Sequence, residues 1–392
     1  MTRQEFHALS LSLRALGVFS ALREKPLFRH FFALTEGTAP QAILAYGSFV
    51  REIFEAGGVL ADAVWRLVVE DENPYVRMRA GKGTCDASIE CAVREELSVL
   101  SRYASLTPTD VATVLPEAPY LAPFGARTVS FAEEYEARMC DIRKHGYGIF
   151  ASNAMFRLSD DANVEPVGSP DTVSLDRFIG YAEERGRVLD NTRAFLDGRP
   201  AANVLLYGDA GTGKSSTVKA IVNHLFEEGL RLIEIRKDQL SMLPFVMGKI
   251  RTNPLHFIIF IDDLSFNKSD DCFSMLKAAL EGSASAKAEN AVIYATSNRR
   301  HIVRETFADR DGGEVHRNDT MQETLSLSER FGMTVLFERP NKSLYLEIVL
   351  ALAEKHRVPL DTEELKIRAE AFALARGTRS ARCAEQFIDS LL

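Results

Sequence analysis

Gly208-Asp209-Ala210-Gly211-Thr212-Gly213-Lys214-Ser215 is the stretch that decides how this chain folds. Its spacing is G-x-x-x-x-G-K-[ST], it follows the apolar run Val204–Tyr207, and a helical pattern begins where it ends. The chemistry at that spacing is restrictive. Glycines let successive backbone N–H groups converge on phosphate oxygens, and the N-terminus of the following helix adds positive potential. The expected phosphate contacts are therefore Gly208, Asp209, Ala210, Gly211, Thr212, Gly213, Lys214 and Ser215, with Ser216 next in line. Lys214 can reach the β- and γ-phosphates, and the Ser215 hydroxyl can ligate Mg²⁺.

A phosphate loop of this kind needs a carboxylate for the metal, and Phe257-Ile258-Ile259-Phe260-Ile261-Asp262-Asp263 supplies one. A continuous apolar run of this length suits a strand buried on both faces, and it ends in two acids. Asp262 is placed to hold Mg²⁺ through water, and Asp263 to orient or deprotonate the attacking water. Further runs of the same texture are Asn203–Tyr207 and Ala291–Thr296. Leu230–Ile235 is a fourth, with Arg231 and Glu234 arguing for a position nearer a sheet edge. Helical stretches alternate with them, so the expected fold is α/β, a parallel sheet with helices on both faces.

Around this core the chain has other textures. Phe6, Leu9, Leu13 and Leu16 share one helical face, as do Ile43, Tyr46, Val50 and Ile53, and Ile89, Val93, Leu97 and Leu100. These stripes predict a mostly α-helical N-terminal domain over 1–157 with the stripes facing its core. A polar, Pro- and Gly-punctuated stretch at 158–174 reads as a linker, 175–340 as the nucleotide-binding α/β domain, and 341–392 as a small C-terminal α-helical lid. The lid divides into three helical pieces near Val358-Pro359 and Gly377.

Composition excludes several classes. The 392 residues carry 47 Lys+Arg against 55 Asp+Glu, a formal net charge of −8. That balance weighs against nucleic acid as a partner, which would need a local basic patch. Hydrophobic residues make up 46%, ordinary for a folded chain and too many for a disordered tail. The five cysteines, Cys85, Cys91, Cys140, Cys272 and Cys383, show no CxxC spacing, so neither a disulfide framework nor a zinc site is indicated. Arg14 interrupts the apolar stretch at the N-terminus, and no run approaches the length of a membrane span. A cytoplasmic protein with no membrane association is expected. The acidic segment Asp309–His316 reads as a loop rather than a metal site.

The order of these motifs resembles the AAA+ ATPase superfamily over residues 175–392. Leu175-Asp176-Arg177-Phe178-Ile179-Gly180-Tyr181 is similar to the segment that frames the adenine there, which implies base contacts by Ile179 and Gly180. Asn298 matches the polar sensor-1 residue, implied to hydrogen-bond the γ-phosphate or the lytic water. Ser328-Glu329-Arg330-Phe331-Gly332 is similar to the segment carrying an arginine finger, and Gly377-Thr378-Arg379 to the sensor-2 motif, with Arg382 a rival for that role. The strings LKAALEG (276–282), YATSNRRH (294–301) and LSLSERFG (325–332), with Asn191-Thr192-Arg193-Ala194-Phe195, resemble more closely an uncharacterised bacterial family of AAA+ type, a domain of unknown function.

What the resemblance implies is an oligomeric, Mg²⁺-dependent ATPase with ATP between the α/β domain and the lid. Arg330 would reach the nucleotide of a neighbouring subunit, which demands a homo-oligomer, and the helical N-terminal domain would select an unknown protein partner. Arg299, Arg300 and His301, following sensor 1, are candidates for phosphate or intersubunit contacts. Asp263 stands where many members of the superfamily carry Glu, one methylene longer. The alternative is therefore a nucleotide-gated binding module with little hydrolysis. No aromatic-hydrophobic-Gly pore loop stands out between Lys237 and Phe257, which weighs against a substrate-threading unfoldase.

Overall fold

The computed structural model describes residues 1–81, 83, 85–116, 118, 120–265, 275–277, 280, 288–298 and 330–392. Arg299, Arg300, His301, the Asp309–His316 segment and Cys272 lie outside them. The chain divides into two units, Met1–Ser152 with Thr252–Pro254, and Asn153–Arg251 with Leu255–Leu392.

The first unit is helical, from α1 (Arg3–Arg14), α2 (Pro26–Glu36), α3 (Ala39–Glu55), α4 (Leu60–Glu70), α5 (Pro74–Ala80) and α6 (Ala87–Ala104) to α7 (Pro108–Ala112), α8 (Phe131–Cys140) and α9 (Ile142–His145). Local chemistry sets the starts. Proline occupies the first turn of α2, α3, α5 and α7, where no N–H is needed. Thr2 and Glu5 close a capping box on α1, satisfying two orphan donors. The predicted stripes turn inward: Phe6, Leu9, Leu13, Tyr46, Val50, Ile53, Val93, Leu97 and Leu100 are all buried in one core.

The second unit opens with a hairpin, β1 (Met155–Leu158) and β2 (Val164–Pro166), followed by α10 (Ala182–Leu196), β3 (Val204–Gly208), α11 (Lys214–His224), β4 (Leu230–Glu234), α12 (Leu243–Ile250), β5 (His256–Ile261), β6 (Ala291–Ser297) and β7 (Met333–Phe337). The sheet runs β2-β1-β4-β5-β6-β3-β7, and every pairing except β1 with β2 is parallel. The lid is α13 (Lys342–His356), α14 (Thr362–Arg376) and α15 (Ala381–Asp389), with its own apolar core around Tyr345, Val349, Ala369 and Phe387. Asn341, Asp361 and Ser380 cap its three helices, and α14 stops at Gly377 in the left-handed conformation.

Two expectations need correction. The boundary falls at Ser152 rather than at 157, and 158–174 is not simply a linker, because Leu158 ends β1 and Val164–Pro166 returns as β2. Ser159 binds the backbone of Asn163 and closes that turn. Leu230–Glu234, expected to be less buried and nearer an edge, is an interior strand buried over Leu230–Ile233, with β1 on one side and β5 on the other. Arg231 is only 1% exposed. Its guanidinium donates to the Phe226 and Leu230 carbonyls at 2.8 Å each and lies 3.9 Å from the centre of the Phe226 ring. Burial of that charge is tolerated because carbonyls and an aromatic face replace water.

Strand order positions the site. β6 lies between the strand that feeds the phosphate loop, β3, and the strand that ends in the two acids, β5. All three are parallel, so Gly208, Asp262 and the last residues of β6 meet at one edge, the carboxyl ends of the strands, where ligands bind in open α/β sheets.

Candidate nucleotide site

Residues 208–213 turn sharply because the backbone there needs conformations that side chains resist. Gly208 has φ +137°, and a Cβ on it would stand 2.0 Å from the Phe337 carbonyl oxygen, inside any permitted contact. Gly213, at φ +89°, is the residue from which α11 starts. Lys214 is 6% exposed, and its ammonium donates to the Gly208 carbonyl at 3.0 Å, the Asp209 carbonyl at 2.7 Å and Asn298 Oδ1 at 3.1 Å. Burial lowers its pKa from the ordinary lysine value, opposed by the charges of Asp209, Asp262 and Asp263.

The acids are held with equal care. Ser215 Oγ donates to Asp262 Oδ1 at 2.6 Å, and Thr296 Oγ1 donates to the same oxygen. Thr296 also accepts from the Asp263 N–H at 2.9 Å, so one buried hydroxyl on β6 fixes both acids of β5. Asp263 itself is in the left-handed region at φ +50°. Asn298 Nδ2 donates to Asp263 Oδ1 at 2.8 Å while its Oδ1 accepts from Lys214. A continuous chain Asp263–Asn298–Lys214 results, with Ser215–Asp262 beside it.

These groups line a cavity of about 400 Å³ together with Ala210, Gly211, Thr212, Gly213 and Ser216. Its other end is apolar, formed by Phe178, Ile179 and Tyr181 from the segment before α10 and by Ile348 and Leu352 from the lid helix α13. Gly180 and Tyr181, at φ +73° and +52°, make the turn that brings this segment in. Gly180 does so by packing rather than by lining the cavity, since a Cβ there would stand 2.5 Å from Leu344 Cδ1. Tyr181 is fixed by its hydroxyl on the Glu338 carbonyl and by the Phe337 ring, 5.3 Å between centroids. Arg177 and Arg185 border the same end, Arg185 with its guanidinium 5.1 Å from the Phe178 ring centre.

The donor set suits Mg²⁺. Ser215 Oγ and Asp262 Oδ1, hydrogen-bonded at 2.6 Å, are hard oxygens of the kind Mg²⁺ takes directly or through water. Among the described residues no cluster of three or more His, Cys, Asp or Glu could hold a metal, so a site of one carboxylate, one hydroxyl, phosphate and water is the arrangement on offer.

Gly208 and Asp209 meet Lys214 through their carbonyls and are not part of the cavity wall. The geometry separates the two lid arginines. Arg382, in the first turn of α15, lines the cavity, whereas Arg379 is turned away onto Glu370, with Nε and Nη2 each 3.1 Å from a carboxylate oxygen. Arg330 lies before β7, and the register Val204↔Met333 to Gly208↔Phe337 sets it at the end of the sheet opposite the phosphate loop. Four strand residues alone separate those ends by about 13 Å. The motifs gave no sign of Thr296, which reads as one more residue of a buried strand, nor of Glu385, which lines the cavity from α15.

A Gly-rich loop on a parallel sheet, a lysine and two acids at its edge, and a helical lid over an apolar recess define a P-loop α/β fold. Residues 151–392 match the family described as "Protein of unknown function (DUF815)", and the chain belongs to that family. No curated protein matches the chain. It is similar to a solved structure of a threonine-to-valine variant of Thermotoga maritima RuvB, at 18% identity and TM-score 0.35 over 56% of this chain and 72% of that one. It is also similar to a structure of the Thermotoga maritima RuvB Holliday junction branch migration motor, at 15% identity and TM-score 0.34, with the same coverage of 56% and 72%. At that distance neither likeness carries a functional argument; the residues of the site do. No described helix is long and apolar enough to cross a membrane.

Proposed function

We propose that this chain binds Mg²⁺·ATP in the cavity between sheet and lid and hydrolyses it as part of a homo-oligomer. The observation that carries the reading is the hydrogen-bonded set that joins Lys214, Asn298, Asp263, Asp262 and Ser215 at the edge of a parallel sheet. The triphosphate occupies the N–H-lined loop from Ala210 to Ser216, and the base enters the recess of Phe178, Ile179, Tyr181, Ile348 and Leu352. Lys214 exchanges the Gly208 and Asp209 carbonyls for phosphate oxygens. Asp263, oriented by the Asn298 amide, receives the water that attacks the γ-phosphorus and takes up its proton, while the bond to the β–γ bridging oxygen breaks and ADP leaves. Ser215 and Asp262 would hold Mg²⁺, which would supply positive charge to the phosphate chain.

Two arginines complete the charge balance. Arg382 approaches the phosphates from the first turn of α15, in place of Arg379. Arg330, at the far end of its own sheet, serves the site of a neighbouring subunit, and arginine suits both tasks because its fork binds phosphate oxygens in pairs. The helical unit selects a protein partner. Phosphate release from wild type and Lys214→Ala tests the reading: release that the substitution abolishes is expected, and equal release from both, or none from wild type in any oligomeric state, refutes it. Light scattering should show assembly on adding ATP.

A further inference from the structure

Arg379 occupies the turn between α14 and α15, and that turn is tied down at both sides. Arg379 and Glu370 form a two-bond fork, both contacts 3.1 Å, and Lys342, the first residue of α13, approaches the same carboxylate at 3.4 Å. Arg339, just past β7, donates to the Gly377 carbonyl at 2.8 Å. The side chains of the fork are 33% and 16% exposed, so water screens them only in part.

What the turn delivers is the start of α15. Ser380 caps that helix by accepting from Cys383 N–H, and the cap rests against the phosphate loop. A Cβ added to Gly211 would stand 3.2 Å from both Ser380 Oγ and Arg382 Cβ, and the Arg382 N–H points at the Gly211 carbonyl from 3.4 Å. Arg379 thus sits one residue before the cap, and Arg382 two residues after it, on a segment with little slack. Wherever the turn is held, Arg382 is held with it.

We propose that Arg379 is a positioning residue: its fork with Glu370 fixes the α14–α15 turn so that Arg382 faces the distal phosphate of the bound nucleotide. The proposal rests on the nucleotide reading above. It assigns the two arginines different work, Arg382 touching ligand and Arg379 touching only protein.

The test is titration of the full chain with fluorescent N-methylanthraniloyl ATP and ADP. Wild type should prefer the triphosphate, and Arg382→Ala should cut that preference about 10-fold, the worth of one charge-assisted contact. Arg379→Ala and Glu370→Ala should each cut it comparably, with ADP affinity within about threefold of wild type. The exchange Arg379→Glu with Glu370→Arg, made together with Lys342→Glu so that the third charge on the carboxylate is reversed too, should restore most of the preference, since a reversed fork still holds the turn. A phosphate-contacting Arg379 predicts the opposite, because a glutamate at 379 would repel the nucleotide. Preference unchanged in Arg379→Ala, or an exchange no better than Arg379→Ala alone when both melt like wild type, overturns the proposal. The milder Arg379→Gln replaces Arg379→Ala should the latter fail to fold. Absence of any nucleotide binding to wild type would instead remove the underlying site, and the positioning role with it.

Discussion

Thr296→Val is the most discriminating change to the proposed chemistry, because it is nearly isosteric and removes only a hydroxyl that both acids share. The hydroxyl it deletes donates to Asp262 Oδ1 and accepts from the Asp263 N–H at 2.9 Å, inside a strand where Thr296 is 2% exposed. Asp262 would keep the Ser215 hydroxyl at 2.6 Å, so the carboxylate stays but loses one of its two side-chain anchors. The Asp263 N–H would keep only its longer contact to Asp262 Oδ1, at 3.1 Å. A hydrogen bond to a charged group contributes about 1.5–3 kcal/mol, and groups that orient metal ligands from behind typically account for about 10- to 100-fold in metal affinity or activity. The expected result is therefore a roughly 10- to 100-fold drop in phosphate release at limiting Mg²⁺, partly recovered by raising Mg²⁺. ATP affinity without metal should stay within about threefold, since Lys214 and the loop amides are untouched. Thr296→Ser retains the hydroxyl and should recover most of the activity. A valine variant as active as wild type across the Mg²⁺ titration, or a serine variant as impaired as valine, would refute the claim that this hydroxyl orients the acids.

Other expectations are more local. Tyr294→Phe removes a buried hydroxyl that meets Asn191 Nδ2 at 3.0 Å and Thr192 Oγ1 at 2.8 Å; both keep a backbone carbonyl, of Ala202 and of Val188, so losing the hydroxyl should cost only about 1 kcal/mol, seen as an earlier thermal transition of the sheet unit. Gly208→Ala forces a Cβ to 2.0 Å from a backbone oxygen and should prevent folding of the second unit, so the variant is expected to lose its cooperative melt. Asp71 is buried in the helical unit with Oδ2 unpartnered, and burial raises its pKa from 3.8 to about 6. A folded-state pKa above the unfolded one means the folded protein binds the extra proton, so stability falls as pH rises from about 4 to 6 and stays lower above it. Asp71→Asn should flatten that slope and stabilise the unit by about 1–3 kcal/mol at neutral pH, the shift discounted for partial screening. The single tryptophan, Trp65, packs on Phe131 in the same unit, so urea unfolding followed by its fluorescence at pH 4.5 and 7.5 reads this part alone.

Which features the sequence made legible follows from where the constraint lies. β3, β5 and β6 are buried on both faces, and a strand with no solvent side must be apolar throughout, so each stood out as a run. The β1–β2 hairpin did not, because one of its strands is a half-exposed three-residue edge whose Val164-Glu165-Pro166 reads as loop. Arg231 misled for the complementary reason: charge in a sequence signals water, but here two carbonyls and the Phe226 ring stand in for it. At the site, the loop and the acids after β5 were read from residue type and spacing and Asn298 from the family resemblance, and hydrogen bonds join Lys214, Asn298 and Asp263. Thr296 was not legible, because a threonine within Ala291–Ser297 is as good a strand residue as it is an anchor. The two lid arginines show the limit most sharply. They are three residues apart, on either side of the Ser380 cap, and spacing alone treats them as equivalent. Helix initiation separates them: Arg379 precedes the cap and points along the turn to Glu370, while Arg382 lies in the first turn, against Gly211. A motif constrains which residue types occur and how far apart, but the direction of a side chain at a helix start depends on where the cap falls, and that in turn on the contacts that hold the preceding turn.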